Sequence, residues 1–236
     1  MKNQYLCDIN DYVKYGLLRA ISCQGSYRIC VAWMLTLGDG GNDGQKRHYL
    51  KKPEVYRHHD ASLFDELHRL SAQHNRCVSD IALSRLIPGA TYHDAILTDL
   101  HRQRCEWFNG LWQRAEGNDC IFFDPDNGFE VSSVAKGHRG SSKYLYWDEF
   151  STAWHRGHSV LVYQHYPRVQ RSTFRQTIGH RLRLNAPACR IATISTPHVL
   201  FLFAIQPDDW NVTRQALSSF STLWSGRIDL SMEDSQ

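Results

Sequence analysis

Asp124, Asp126 and Asn127 stand within four residues of one another in the stretch CIFFDPDNGFE, residues 120–130, directly behind Ile121, Phe122 and Phe123. A short apolar run that breaks into carboxylates and an amide is the pattern of a buried strand whose carboxyl end opens on the ligand crevice of an α/β sheet. Pro125 stiffens the turn and Gly128 permits a positive φ. Carboxylates placed there accept hydrogen bonds from a substrate or ligate a hard cation. Asp-Pro and Asn-Gly are also ordinary turn pairs, but so much polarity at a strand end favours a functional site over a plain turn.

A second cluster closes a later strand pattern. Residues 158–164, HSVLVYQ, lead into Tyr163, Gln164, His165, Tyr166, Pro167 and Arg168. Two such ends on neighbouring strands converge in one crevice. Between them runs a Gly/Ser/Lys loop with Lys136, Arg139 and Lys143, suited equally to phosphate contact and to plain solvation. Lys143, His165 and Arg168 are the candidate nucleic-acid contacts.

These groups need elements to hold them. The spacing of Val13, Leu17, Leu18 and Ile21 predicts a helix over 11–21, with Asp8 and Asn10 as caps. Residues 28–37, RICVAWMLTL, read as a buried strand that stops at the glycine-rich run 38–44. Such a loop lets backbone approach a nucleotide-like ligand, although no helix pattern follows it to offer a phosphate-binding N-terminus. A polar excursion over 44–60 is interrupted by Tyr49, Leu50, Val55 and Tyr56. Helices are expected over 62–73, 80–87 and within 93–114, where Trp107, Phe108, Leu111 and Trp112 read as core. Then come a helix over 147–154, a basic helix over 170–184 with Arg171, Arg175, Arg181 and Arg183, an antiparallel pair at 190–194 and 198–205, a last helix at 210–224 and an edge at 226–230. The class is α/β, a Rossmann-like open sheet, mostly parallel, with a terminal antiparallel strand pair. One domain, 1–236, is expected, with a largely helical insertion at 44–116.

Composition narrows the setting. At 236 residues the chain can bury a full core, and a formal charge of +3 permits a nucleic-acid partner without demanding one. No apolar run reaches the ~18 residues of a membrane span, and the acidic N-terminal stretch is unlike a signal peptide, so a cytoplasmic protein is expected. Seven cysteines with no CxxC pair read as reduced thiols. His58, His59 and Asp60 form the tightest histidine cluster, read as surface polar residues rather than metal ligands.

The layout resembles class I S-adenosylmethionine-dependent methyltransferases, and most closely the RlmJ-type ribosomal RNA adenine methyltransferases. That family opens on a motif of the form GNxxDVLKH, which falls on residues 7–15, with Asp11, Val13 and Lys14 matching. The resemblance implies that Asp11 and Lys14 lie over the cofactor. The family's DxHAGxG motif falls on residues 34–40, which implies cofactor contacts from Thr36, Gly38, Asp39 and Gly40; Met34 stands where the family has an aspartate, and Asp39 or Asp80 is the expected substitute. Its catalytic DPPY motif falls on Asp124, Pro125, Asp126 and Asn127, so the second proline and the aromatic are replaced. The family's WYP segment is similar to residues 163–167. Asp124 is thereby implied to bind the target amine, and Tyr163, Phe129 or Tyr166 to supply the missing aromatic face.

Three functions follow as expectations. The first is methyl transfer from S-adenosylmethionine to an amine of an RNA or DNA base, with Asp124, Pro125, Asp126, Asn127 and Tyr163 at the reacting centre. The second is a Mg²⁺- or Mn²⁺-dependent nuclease in which Asp8, Asp11, Asp124 and Asp126 hold the ion and Lys14 or Lys143 stabilises developing charge. The third is a catalytically silent binding module on the same scaffold. Asp124→Ala is expected to abolish activity with thermal stability nearly unchanged, and Lys14→Ala to weaken small-ligand binding.

Overall fold

The computed structural model describes residues 1–38 and 46–233. Most of the glycine-rich run, with Asp39 and Gly40, lies outside the described residues.

Among the described residues nine strands form, in chain order, at Ile29–Ala32 (β1), Thr91–His93 (β2), Cys120–Phe123 (β3), Gly128–Phe129 (β4), Tyr144–Leu145 (β5), Ser159–His165 (β6), Arg190–Ser195 (β7), Val199–Ile205 (β8) and Asp229–Glu233 (β9). Seven make one sheet in the order β2-β1-β3-β6-β8-β7-β9, while β4 and β5 make a small parallel pair. The β2, β1, β3 and β6 pairings are parallel, and those of β8, β7 and β9 are antiparallel. The expected hairpin is present, but folded so that its second strand, β8, lies against β6. The edge expected at 226–230 is β9, a few residues later.

Eight α-helices of the described residues flank the sheet: Ile9–Ile21 (α1), Pro53–Tyr56 (α2), Ala61–Ser71 (α3), Ser79–Leu83 (α4), His101–Ala115 (α5), Trp147–His155 (α6), Arg171–Asn185 (α7) and Trp210–Leu223 (α8). Alternate strand residues face opposite layers. Val31, Phe122, Leu161 and Phe203 pack beneath α1, α3 and α8; Cys30, Ile121, Val160 and Leu202 pack beneath α5, α6 and α7. Burial on both faces explains why these strands read as continuous apolar runs. Helices α1 and α8 approach closely because Gly16 has no Cβ: one built there would lie 2.4 Å from the Trp224 ring.

Three expectations need correction. The strand predicted over 28–37 is only four residues long, because β2 offers three residues to pair with and the chain then turns through Trp33 and Met34. Segment 44–116 is not wholly an insertion, since it contains β2, a strand of the main sheet, and α5, which packs on β1 and β2. His59 is buried rather than a surface residue; its Nδ1 meets the Leu223 carbonyl at 2.8 Å and its ring stacks on Trp224. All seven cysteines are free thiols, and among the described residues no helix is long and apolar enough to cross a membrane.

A buried ion pair fastens the small sheet to the large one. Arg104 of α5 donates to both Glu149 carboxylate oxygens, at 2.6 and 2.8 Å, and to the carbonyls of Ser141 and Tyr144. Glu149→Ala leaves that guanidinium charge buried without its counter-ion and should cost about 3–5 kcal/mol, whereas Arg104→Met with Glu149→Leu should cost less than the single change. Urea unfolding of the three proteins measures both.

Candidate active site

β1 lies between β2 and β3, so the chain leaves it toward one side of the sheet and returns on the other. Between the carboxyl ends of β1 and β3 is the switch point at which open α/β sheets form their ligand crevice. Asp124 is the first residue beyond β3, its amide donating to the Ala32 carbonyl at 3.1 Å. The turn that follows is clamped by Gln164 of β6. The Gln164 side chain accepts from the Phe129 amide at 2.8 Å and donates to the Asn127 and His165 carbonyls at 3.1 and 2.6 Å. Gly128 has φ +113°, and a Cβ on it would fall 2.2 Å from Gln164 Oε1. The glycine of DPDNG is therefore required twice, by its own backbone and by the clamp.

From the other side comes α1. Asp8 caps it, accepting from the amides of Asn10 and Asp11 at 2.7 and 3.0 Å, which satisfies two donors of the first turn. One turn further along, Lys14 reaches Asp11 at 2.6 Å and Asp124 at 2.8 Å, with all three side chains buried. Burial opposes the Lys14 charge, but Asp11 and Asp124 outweigh it and hold the ammonium pKa well above the ordinary lysine value. Burial is also the main influence on Asp11, pushing its carboxyl up to about 7 against the pull of Lys14. The two directions are compatible, since one cation serves two carboxylates and leaves an excess of negative charge. The N-terminal segment completes this wall: the Met1 nitrogen meets the carbonyls of Met34 and Asp124 at 3.0 and 3.2 Å, and Asp126 at 2.7 Å.

These elements enclose a cavity of about 360 Å³. Asp124, Pro125, Asp126, Asn127 and Tyr163, the five candidates for the reacting centre, all line it, as do Asp8, Asp11, Lys14 and His165. Met1, Tyr5, Asn10 and Lys46 line it too and went unrecognised in the sequence. Asn10 had a signal, lying one residue from Asp11 at a helix start; Lys46 had none, since only the fold brings its carbonyl to the Ile9 amide at 3.1 Å.

Other candidates fall elsewhere. Thr36 is buried and bonds Met1 through its amide, and Gly38 is exposed; neither lines the cavity. Asp80 is no substitute for the acid replaced at Met34, because its carboxylate accepts from the Cys77 amide at the start of α4. Phe129 cannot supply an aromatic face, being stacked on Trp147 at 3.9 Å between ring centres. Tyr166 is covered by the Arg171 guanidinium, so of the three aromatics only Tyr163 reaches the cavity. Lys143 is tied to the site through its carbonyl, which accepts from Asn127, and Arg168 is exposed beyond the end of β6. Asp8, Asp11, Asp124 and Asp126 share the wall without forming a ligand set: Asp8 is turned to its helix cap and Lys14 sits between Asp11 and Asp124. Among the described residues no three His, Cys, Asp or Glu side chains are grouped to hold a metal ion.

Burial also corrects the expectation for Asp124→Ala. Asp124 is 2% exposed and shares Lys14 with Asp11, so its loss should lower stability by about 1–3 kcal/mol rather than leave it unchanged.

No family model matches this chain, and no curated protein matches it. Among solved structures it is similar to protein LPL1258 from Legionella pneumophila, described under the family model DUF519, at 12% sequence identity and a TM-score of 0.47. That likeness covers 98% of this chain and 97% of the other.

The raised Asp11 pKa has a sign that can be measured. Folded Asp11 holds its proton up to about pH 7, whereas an unfolded aspartate releases it near ~3.9. Its contribution to stability is therefore full below about pH 4 and is lost as the pH rises through about 7. Urea midpoints at about pH 6 and about pH 8 should fall more in the natural protein than in Asp11→Asn, which has no proton to lose.

Proposed function

We propose that this chain is an S-adenosylmethionine-dependent methyltransferase acting on an amine of a nucleic-acid base. The observation that supports this reading above the others is the placement of Asp124: it stands at the carboxyl end of β3, at the switch point, in a cavity that also presents Tyr163.

The donor chemistry of the cavity fits such a cofactor. Asp8, Asp11, Asp124 and Asp126 line the cavity beside Lys14, Lys46 and the Met1 nitrogen, a mixed set suited to a hydroxyl-rich ligand that carries a sulfonium, an ammonium and a carboxylate. Asp8, Asn10 and Asp126 are the residues that would hold it. When bound, it supplies an electrophilic methyl group.

The chain's own residues hold and orient the other partner. Lys14 takes Asp124 Oδ2 at 2.8 Å, which fixes the carboxylate and leaves Oδ1 to accept a hydrogen bond from the base amine. A second bond to the Pro125 carbonyl would turn the nitrogen lone pair toward the methyl donor, a gain of positioning rather than of acid-base chemistry. Tyr163, with the Lys14 ammonium over its ring at 5.8 Å, would pack its cavity-facing surface on the base. Lys14 stands where a cation bridging Asp11 and Asp124 would need to sit, which argues against the metal-dependent nuclease.

Calorimetric titration with S-adenosylmethionine and S-adenosylhomocysteine, with and without Mg²⁺, tests the reading. Saturable binding of both, indifferent to the metal, is expected. Asp124→Asn should retain that binding while methyl transfer to an oligonucleotide falls by about 100-fold or more. Heat from Mg²⁺ alone, with none from either cofactor form, would overturn the proposal.

A further inference from the structure

The charge of this chain is unevenly distributed. Between Glu149 and Asp208 there is no acidic residue, whereas seven arginines occur: Arg156, Arg168, Arg171, Arg175, Arg181, Arg183 and Arg190. The whole chain has a formal charge of only +3, so the remainder is net acidic and this segment carries the basic excess. Four of the seven lie on α7, and two of those are answered locally: Arg181 approaches Glu130 at 3.8 Å and Arg183 pairs with Glu233.

The other two, at the start of α7, have only neutral partners among the described residues. Arg171 lies over the Tyr166 ring at 4.6 Å and donates to the Pro197 carbonyl at 2.7 Å. Arg175 donates to the Tyr166 hydroxyl at 3.1 Å and to Ser195 Oγ at 2.8 Å. Tyr166 thus sets the two guanidinium groups side by side, and Arg168 stands exposed three residues before the helix. The helix start adds charge of the same sign. Its cap residue, Gln170, makes no side-chain bond to a backbone amide of the first turn, and that turn contains no acid. An arginine in the first turn faces the positive end of the helix dipole, so Arg171 stands there against local stability.

We infer that Arg168, Arg171 and Arg175, with the start of α7, bind the phosphodiester backbone of a single nucleic-acid strand and lead it to the cavity. The inference rests on the reading of a nucleic-acid substrate and names the surface that receives it. The connection is short in chain and space: His165, at the end of β6, lines the cavity, and Arg168 follows it by three residues. Phosphate contacts of this kind position a strand without reading its sequence, which is the task required beside a site that takes in one base.

Fluorescence anisotropy with a 20-nucleotide single strand, as RNA and as DNA, over a series of salt concentrations tests this. Arg168→Gln alters only an exposed side chain and should weaken binding about equally for all sequences. Arg168→Gln, Arg171→Gln and Arg175→Gln together should lower affinity by more than about tenfold in low salt and reduce the slope of log K against log salt by about 2, as expected for three lost phosphate contacts. Arg183→Gln, on the same helix but already paired, should bind as the natural protein does. Thermal melting checks that the triple variant folds, and Arg168→Gln decides the question if it does not. Unchanged binding in Arg168→Gln, an equal loss in Arg183→Gln, or binding to anionic phosphatidylserine vesicles but not to oligonucleotides would each overturn the inference. Cofactor titration of the same variants separates the two proposals: oligonucleotide binding through these arginines without cofactor binding would remove the methyltransferase reading alone, and cofactor binding without oligonucleotide binding would remove this surface alone.

Discussion

A single buried ammonium joins the two halves of the site. Lys14 comes from the first helix and Asp124 from the third strand, 110 residues apart, and they meet at 2.8 Å with Asp11 completing the group. A charge taken this far from water is tolerated only when its partners are close and well aimed, so the pairing dictates where α1 lies against the sheet. That placement brings Asp8 and Asn10 to the cavity and closes the segment from Met1 to Tyr5 over the switch point. The wall of the site and the anchoring of the N-terminal helix are thus one structure, and an alteration at Asp124 acts on both.

The opposite wall depends on neutral hydrogen bonds. Gln164 gives two of its three side-chain hydrogen bonds to the turn after Asp124, and Gly128 makes room for it. Buried amides that satisfy several backbone groups at once hold a loop as firmly as secondary structure does, because freeing them exposes each partner to an unpaired, dry environment. Asp126 and Asn127 consequently stand on a fixed turn between β3 and the small sheet, and the small sheet is itself held by Arg104. Rigid support on both sides is what a site needs if it works by positioning.

Most of the architecture was legible in the chain. The apolar runs at β3, β6 and β8 were continuous because both faces are buried, helix α1 declared itself through the spacing of its core residues, and helices were expected over the stretches where α3, α6, α7 and α8 stand. Legibility failed where pairing depends on a distant partner. β2 has three residues and β4 and β5 two each, too few to show a period, and they exist only because neighbouring strands supply their hydrogen bonds. Residue types alone also misjudged His59, which reads as polar surface yet stacks within the core on Trp224.

By itself, the sequence determined the α/β class and the polar strand ends after β3 and β6, since these rest on local periodicity and on which residues break it. Tertiary structure alone decided which groups share the cavity. It turned Phe129 onto Trp147, Asp80 onto its own helix and Tyr166 beneath Arg171, and left Tyr163, alone of the three expected aromatics, on the wall. It also placed Lys14 among carboxylates that a chain reading would equally have given to a metal. The physical reason is common to these cases: a side chain's chemistry is local, but what it faces is set by the packing of elements far apart in the chain, and burial then forces each polar group to find one partner and abandon the rest.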